Sequence, residues 1–252
     1  MPNQFMQPIK VSSDFRIIAH RGASAYAPEN TLPAFSMTKE MGIMEVELDT
    51  QLSSDGVVVV CHDKSLNRYK HDYKDIEKIS SKILLKLDMG SWFSPDFTGT
   101  CMVSLEQLFA EFGRSLVYHI ELKGEAENLP RSVYELVYKT GLLDRTIFTS
   151  FSFEQLHRMR KVSADCRLGW LVNSESFDDN IMRKSEELKL FQLCPRADLL
   201  TKEMVQHARS VVSDTRAWGV QGEPNCVRML IHRIVNSGCG GMTINWPDWV
   251  VQ

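Results

Sequence analysis

The chain repeats one pattern along most of its length, in which a short apolar segment with strand character is followed by a segment with helical character. Parallel strands need helical crossovers, and eight such units are the number that closes a barrel. The sequence therefore predicts an α/β fold, a (β/α)8 TIM barrel whose last helix is missing or reduced to a stub. The predicted strands cover residues 16–20, 44–49, 117–123, 146–151, 167–172, 191–194, 216–220 and 241–244, and the predicted helices lie near 31–41, 104–112, 130–140, 153–161, 178–188, 201–212 and 225–236.

One long segment interrupts this pattern. With 252 residues, 43% of them hydrophobic, the chain can bury one large core. We expect a single TIM-barrel domain over residues 1–252, with a small insertion at about 63–103, after the second strand region. An insertion on the top face of the barrel would shape substrate access, or its aromatic side chains would form the core of the insertion itself. These aromatic residues are Tyr69, Tyr73, Trp92, Phe93 and Phe97.

Two helix starts carry capping signals. Asn30 precedes the helix near 31–41 and is expected as its N-cap, and Gly42 stands just past the last turn. Ser104 and Gln107 have the spacing of a capping box, which predicts a helix start at 104.

Charged residues stand at or near the ends of three apolar strands. Because side chains alternate along a strand, acids at every second position share one face, and the carboxyl ends of parallel strands meet at one end of a barrel. A further apolar run at 57–61 leads directly into His62. Buried charges are costly unless they have partners, so we expect a metal or an anionic ligand among them, with structural ion pairs at the barrel rim as the alternative. The residues are His20, Glu45, Glu47, Asp49, His62, His119, Glu121 and Lys123.

The composition favours a small-molecule substrate. The formal net charge is −3, and the Lys and Arg residues are scattered, so nucleic acid is not expected as a partner.

No segment has the length and apolarity of a membrane span, and stable membrane insertion is not expected. The N-terminus resembles no secretory signal, so we expect a cytoplasmic protein unless a leader has been removed. The six cysteines form no CxxC pair and are expected as buried free thiols. A monomer or small homo-oligomer is expected.

Taken together, these motifs resemble the glycerophosphodiester phosphodiesterase family. The resemblance implies a TIM barrel with an insertion after the His-Asp motif, and metal-dependent hydrolysis of glycerophosphodiesters to glycerol 3-phosphate and an alcohol. The motifs occur in order along the chain: His20-Arg21-Gly22, Pro28-Glu29-Asn30-Thr31, Glu47-Leu48-Asp49, Asp55-Gly56, His62-Asp63 and Glu121-Leu122-Lys123.

The resemblance also implies a role for each site residue. Glu47, Asp49 and Glu121 would bind one divalent cation. Three carboxylates make a hard oxygen site, so Mg²⁺ or Ca²⁺ is expected rather than Zn²⁺. Arg21 and Lys123 would hold the phosphate, and the fork of an arginine suits phosphate oxygens.

Two histidines would serve as acid and base, and these are His20 and His62. A histidine pKa of about 6.5 suits either role, so the sequence cannot order them; we favour His20 as base and His62 as acid. Trp218 would contact the glycerol moiety, or it is an ordinary core residue.

The chain departs from the family pattern near its C-terminus. Gly240 and Asn245 stand where the family usually has acids, and we expect altered loop anchoring or substrate fit, with activity retained. A separate hypothesis concerns Glu45 and His119, each two residues before a site carboxylate. We expect these two side chains to pair inside the barrel and to support Glu47 and Glu121 from below.

Two rival functions share the predicted barrel. One is a phospholipase D-like enzyme that acts on lysophospholipids or sphingomyelin, and the other is a catalytically silent phosphate-binding module. The presence of both proton-transfer groups with the three carboxylates argues against the silent module. The sequence leaves open the head-group preference and the choice between Mg²⁺ and Ca²⁺.

Overall fold

The computed structural model describes residues 7–252, so part of the N-terminal segment assessed for a signal lies outside the described residues. Twelve strands alternate with eight α-helices, with short 3₁₀ turns between them. The strands are β1 (Ile9–Lys10), β2 (Arg16–His20), β3 (Glu45–Leu52), β4 (Val58–Val60), β5 (Val117–Leu122), β6 (Thr146–Ser150), β7 (Leu168–Val172), β8 (Gln192–Pro195), β9 (Asp214–Thr215), β10 (Ala217–Val220), β11 (Gly241–Ile244) and β12 (Val250–Val251). The helices are α1 (Leu32–Glu40), α2 (Ser81–Leu84), α3 (Leu105–Phe112), α4 (Leu129–Lys139), α5 (Phe153–Val162), α6 (Asp179–Glu187), α7 (Lys202–Ala208) and α8 (Pro224–Ser237).

The central sheet is a nearly closed parallel barrel. Its strand order is β10-β11-β2-β3-β5-β6-β7-β8-β9, and a parallel bridge from Arg196, the residue after β8, to Trp218 in β10 completes the ring. β9 and β10 are one barrel strand, interrupted at Arg216, which gives eight positions around the barrel. The predicted (β/α)8 fold is confirmed. The strand predicted at 216–220 begins earlier, at Asp214. Its first half, β9, pairs with β8, and its second half, β10, pairs with β11 with a shift of register between Ala217 and Val220.

The segment predicted as a buried strand before His62 does not belong to the barrel. β4 is buried, but it pairs antiparallel with the end of β3, after a turn at residues 53–56. This hairpin brings the chain back along β3, and the Cys61 amide donates to the Asp49 carbonyl at 3.0 Å. His62 therefore reaches the mouth of the barrel from a hairpin rather than from a barrel strand.

The residues that cap α3 and follow α1 are those that the sequence predicts, whereas the N-cap of α1 is a different residue. Ser104 and Gln107 form the predicted capping box at α3, and Gly42 follows α1 with a positive φ of 78°, so both expectations are confirmed. Asn30 is not the N-cap of α1, because its side-chain amide binds Asp49 instead, and Thr31 takes the N-cap position without a side-chain bond. The helix predicted at 201–212 ends earlier, at Ala208.

Residues 63–103 carry only one short helix, α2, and form a small core of their own. Tyr69 and Trp92 meet edge to face with ring centroids 5.5 Å apart, and Tyr73 packs against the same cluster. These three aromatic residues belong to the core of the insertion, as the second interpretation expected. The cluster consists of Val59, Cys61, Leu66, Tyr69, Ile76, Ile79, Leu84, Met89 and Met102.

The two faces of the barrel strands differ in character. Outward-facing side chains such as Val46, Leu48 and Ile120 pack under the helices in the main core. Inward-facing side chains are largely polar. They include Glu45 and His119, which the sequence predicts to pair: the Nε2 of the fully buried His119 lies 2.9 Å from Glu45 Oε2. This pairing is confirmed. The polar interior allows the strands to present charged groups along one axis of the barrel.

Two further features of the described residues bear on the expectations from the sequence. No helix within 7–252 combines the length and apolarity that a membrane crossing needs. All six cysteines are free, but Cys101 and Cys226 are exposed, so the expectation of buried thiols holds for four of them.

Candidate active site

Three carboxylates meet at the carboxyl ends of two adjacent strands. Glu47 and Asp49 lie on β3 and Glu121 lies on β5, where Asp49 and Glu121 are partners in the strand register. One oxygen of each residue lies within 4.8 Å of the others, and all three residues are buried. The alternation of side chains along β3 places both of its acids on the interior face.

The carboxylates strongly perturb one another. Burial and the charges of Asp49 and Glu121 raise the pKa of Glu47 well above its ordinary value. Burial and Asp49 likewise raise the pKa of Glu121 to about 7. Burial acts on Asp49 in the same direction, but the charges of Arg21 and Lys123 and other neighbouring groups together outweigh it and lower the pKa of that carboxyl. The cluster therefore carries unbalanced negative charge that a cation would relieve.

The donor set fits a hard divalent cation. All three groups offer carboxylate oxygens, and Asp49 Oδ1 is buried without a hydrogen-bond partner in the described part of the chain. Lys123 Nζ binds only one oxygen of Glu121, at 3.2 Å. A site of buried carboxylates without sulfur or imidazole suits Mg²⁺ or Ca²⁺.

His20 ends β2 beside this cluster. Its Nδ1 lies 2.6 Å from Asn245 Oδ1 at the end of β11, and its Nε2 lies 3.8 Å from Glu47 Oε2. An amide oxygen only accepts, so Nδ1 carries the proton and Nε2 keeps its lone pair. Burial and the nearby Arg21 charge lower the pKa of His20 to about 4. The ring is thus neutral at pH 7, with a free acceptor facing the acids.

His62 has a different partner. Its Nδ1 lies 2.5 Å from Asp63 Oδ1, and Arg68 Nε donates to the other Asp63 oxygen at 2.7 Å. Burial raises the pKa of Asp63, but the hydrogen bonds from Arg68 and His62 outweigh it, and the net shift is downward. The ionised Asp63 accepts from Nδ1 of His62, which fixes the orientation of the ring and leaves Nε2 facing the cavity side of the site.

Arg21 follows His20 in a turn that requires the next residue to be glycine. Arg21 and Gly22 both have positive φ, and a Cβ on Gly22 would lie 2.7 Å from the backbone of Ala34 in α1. The turn directs the Arg21 side chain towards the acids, with Nε 3.2 Å from Asp49 Oδ2. Glu29 accepts from Arg21 Nη1 at 3.0 Å, which leaves Nη2 available.

The Glu29-Asn30 pair supports the site from the loop before α1. Asn30 Nδ2 donates to Asp49 Oδ2 at 2.8 Å, with its backbone held in a positive φ of 58°. Glu29 accepts from Arg21 and also from Arg68 Nη2, at 2.6 Å. One loop therefore fixes a carboxylate of the acidic cluster and joins the two arginines.

A single cavity collects the predicted site residues. Its volume is about 230 Å³, and Phe151 and Leu171 form part of an apolar wall. Phe151 meets Trp218 edge to face with centroids 4.7 Å apart, and Trp218 Nε1 lies 3.3 Å from the Val172 carbonyl oxygen. Asp49 alone of the predicted residues does not border the cavity, because it lies behind the others at 1% exposure. The bordering ones are His20, Arg21, Glu47, His62, Glu121, Lys123 and Trp218.

The structure also places residues at the site to which the sequence assigned no role there. Asp63 and Glu29 belong to motifs that were recognised, so their hydrogen-bonding roles could have been proposed. Arg68 lies in the insertion and gave no periodic signal. Arg216 lies inside a predicted strand, where a charged side chain at an interior position was the available clue.

The two departures near the C-terminus have structural consequences. Asn245 binds the ring of His20, so this replacement changes the partner of a histidine at the site. Gly240 leaves room for Asp214, since a Cβ at 240 would lie 2.6 Å from Asp214 Oδ1. Asp214 pairs there with Arg16, which ties the start of β9 to β2.

Comparison with known proteins shows the family of the chain. The model of the glycerophosphoryl diester phosphodiesterase family matches residues 20–249. A glycerophosphodiester phosphodiesterase of Bacillus subtilis is 28% identical over 249 residues, which cover 92% of this chain and 83% of the relative. A lysophospholipase D of Mus musculus is 34% identical over 155 residues, covering 59% of this chain and 46% of that protein.

Solved structures share the fold. A phosphodiesterase of Oleispira antarctica, in complex with the product sn-glycerol-3-phosphate, has a TM-score of 0.78 at 24% identity, covering 92% of this chain and 94% of that one. The resemblance drawn from the motifs is thus confirmed, and so is the enzyme class. The chain is a phosphodiesterase that belongs to the glycerophosphoryl diester phosphodiesterase family.

Proposed function

We propose that this enzyme hydrolyses glycerophosphodiesters to glycerol 3-phosphate and an alcohol, with one divalent cation, Mg²⁺ or Ca²⁺, and two histidines as acid and base. The observation that carries the proposal is the single cavity bordered by both histidines, Arg21, Lys123 and two of the three clustered acids. When bound to Glu47, Asp49 and Glu121, the cation would offset the charge of the phosphodiester and of the transition state.

Arg21 and Lys123 hold the phosphate in this proposal. Both side chains border the cavity, and each already has an acidic partner that fixes its position. Arg21 remains charged, because the charges of Asp49 and Glu29 outweigh its burial and raise its pKa. Its free Nη2 and the Lys123 ammonium would donate to the phosphate oxygens.

The two histidines take different roles because their partners differ. His20, neutral and with a bare Nε2, would accept the proton of the attacking oxygen, which belongs to water or to the 2-hydroxyl of glycerol. His62, held by the anionic Asp63, would donate its proton to the departing alcohol. Protonation of a poor leaving group is the step in which such an acid contributes most.

Trp218 and Phe151 would form the wall against the glycerol carbons. We further propose one domain for the whole chain, which acts without nucleic acid as a monomer or small homo-oligomer. The six free cysteines support a reducing, cytoplasmic location.

The first test is turnover. Purified protein should release glycerol 3-phosphate from glycerophosphocholine, glycerophosphoethanolamine and glycerophosphoglycerol when Mg²⁺ or Ca²⁺ is supplied, and a chelator should abolish it, because the acids then repel one another and the phosphate. Inactivity on the whole panel with either cation would contradict the proposal and favour a silent binding module.

A lysophospholipase D activity is the second candidate, favoured by the similarity to the Mus musculus enzyme over 155 residues. Turnover of lysophosphatidylcholine beside glycerophosphocholine distinguishes the two. The cavity of about 230 Å³ suits a small diester, so we expect glycerophosphocholine to have the higher kcat/KM.

Replacing one carboxylate should reveal the repulsion within the cluster. Folding raises the pKa of Glu121 to about 7, so between its ordinary value and pH 7 the folded state holds a proton that the unfolded state loses, and stability falls as pH rises. Without metal at pH 8, the free energy of unfolding of Glu121→Gln should therefore exceed that of the wild type by about 1–3 kcal/mol. With added Mg²⁺ or Ca²⁺, the wild type should become more stable than Glu121→Gln, because the cation stabilises the wild type more than the variant.

Urea unfolding at pH 5 and pH 8, with chelator and with cation, measures this effect. Glu125→Gln is the matched control, because Glu125 is an exposed acid whose side chain is 76% accessible. A Glu121→Gln protein that is less stable than wild type at pH 8 in chelator would contradict the interpretation.

Substrates with different leaving groups can distinguish the roles of the two histidines. His62→Ala should lower kcat on choline or glycerol diesters by about 10²–10⁴-fold but retain turnover of a nitrophenyl diester, whose leaving group needs no proton. His20→Ala should lose both activities. His157→Ala, on the exposed surface of α5, is the control. The opposite pattern, with aryl turnover surviving only in His20→Ala, would exchange the two roles.

Arg68 should act on catalysis through Asp63 and Glu29. Its guanidinium donates to both and stacks on the rings of Tyr69 and Trp92, at 4.5 and 5.0 Å from their centroids. Arg68→Met should lower kcat on alkyl diesters by about 10–100-fold, and on the nitrophenyl diester by clearly less, because His62 loses its fixed orientation.

Arg114→Met is the matched control for Arg68, since Arg114 forms an exposed two-bond pair with Asp144 away from the cavity. Arg68→Lys should recover part of the loss on alkyl diesters, because the charge remains while the fork is lost. An equal fall on alkyl and aryl substrates would refute an action through His62.

A further inference from the structure

Arg216 is a buried cation on the floor of the cavity. It is 1% exposed and is among the largest fully buried side chains. It lies between β9 and β10, two residues before Trp218, so the two side chains share the interior face of the same barrel strand. Both border the cavity, and Thr243, on the neighbouring strand β11, borders it beside Arg216.

The hydrogen-bond partners of Arg216 are all neutral. Nε donates to Gln192 Oε1 at 3.3 Å, and Nη2 contacts Cys194 Sγ at 3.7 Å. Nη1 donates to the hydroxyl of Thr243. Burial raises the pKa of Cys194 to about 11, so its sulfur is a thiol and supplies no negative charge. Within residues 7–252, Arg216 forms no salt bridge with a carboxylate.

The acids nearest in the interior have other partners. Asp214 binds Arg16 and accepts from Gln192, and Glu45 accepts from His119. An arginine stays protonated even when buried, and a buried charge without an anionic partner is costly. Three of the five N–H groups of Arg216 are engaged, which leaves one on each terminal nitrogen.

We propose that Arg216 and Thr243 form an anion subsite on the cavity floor, which receives a carboxylate on the inner alcohol of the diester. The inner alcohol is the three-carbon unit that stays with the phosphate. Phe151, Trp218, Arg216 and Thr243 line the same cavity. With the phosphate at the acidic cluster and the carbons along Phe151 and Trp218, the far carbon of that unit would face the floor. A carboxylate there would accept charge-assisted hydrogen bonds that a hydroxymethyl group forms only weakly. The inference rests on the proposed function and specifies its substrate class.

Two probes differ only at this far carbon. Glycerol 3-phosphate has a hydroxymethyl group there, and 3-phosphoglycerate has a carboxylate. In titration calorimetry with Ca²⁺ present, the wild type should bind 3-phosphoglycerate at least about ten-fold more tightly. Arg216→Met keeps the buried volume and removes the charge, and it should abolish the difference between the probes. Lys123→Met, the control on the phosphate side, should weaken both probes equally.

Each outcome decides the proposal. A wild type that binds both probes equally, or prefers glycerol 3-phosphate, would overturn it and leave Arg216 as a counter-charge for the interior acids. A preference that persists in Arg216→Met would also overturn it, because the carboxylate would then bind the cation. If Arg216→Met does not fold, Arg216→Lys and Thr243→Val serve in its place, and both should reduce the preference several-fold.

The subsite and the proposed function can fail separately. Turnover of glycerophosphocholine by the wild type is measured in the same preparation. Turnover without a carboxylate preference contradicts only the subsite, and a carboxylate preference without turnover contradicts only the proposed hydrolysis.

Discussion

The repulsion among three buried carboxylates is the constraint on which the mouth of this barrel depends. At an effective dielectric constant of about 20, two carboxylates about 5 Å apart repel by about 3 kcal/mol. The surrounding residues offset only part of this: Arg21 and Asn30 bind Asp49, and Lys123 binds Glu121. Glu47 keeps a raised pKa. The fold thus holds negative charge in a position where a hard cation restores balance, and the loops around it serve mainly to keep those oxygens converged.

The two histidines have different partners, and these fit the different roles proposed for them. His20 rests against a neutral amide and beside a positive charge, which favours the uncharged ring. His62 instead contacts a carboxylate, Asp63, which also accepts from Arg68. The replacement at Asn245 strengthens this asymmetry, because an acid in its place would stabilise a proton on His20. The neutral partner at Asn245 is therefore consistent with the proposed role of His20 as base.

The barrel and its acidic cluster could be predicted because they depend on local periodicity. The alternation along 44–49 already placed Glu45, Glu47 and Asp49 on one face, and β3 shows them so. Contacts between residues that are far apart in the sequence could not be predicted from periodicity. Asn30 has the residue type and position of an N-cap, and only the proximity of Asp49 in the folded barrel diverts its amide. Arg68 lies 39 residues from Glu29, and nothing in the spacing of the two indicates that they meet.

Arg216 shows why a charged residue inside a strand pattern carries information about the ligand. The charge of Arg216 acts to lower the pKa of Glu47, although burial and the neighbouring acids have the larger effect and raise it. Arg216 on the cavity floor and the acidic cluster at the barrel mouth therefore interact electrostatically across the cavity. Without a cation, the acidic cluster supplies part of the negative charge that acts on Arg216. A cation bound at the mouth would cancel that attraction and leave the guanidinium in greater need of an anion. Metal at the mouth and a carboxylate on the floor should therefore favour each other, and a substrate that spans both would be aligned along the axis of the barrel.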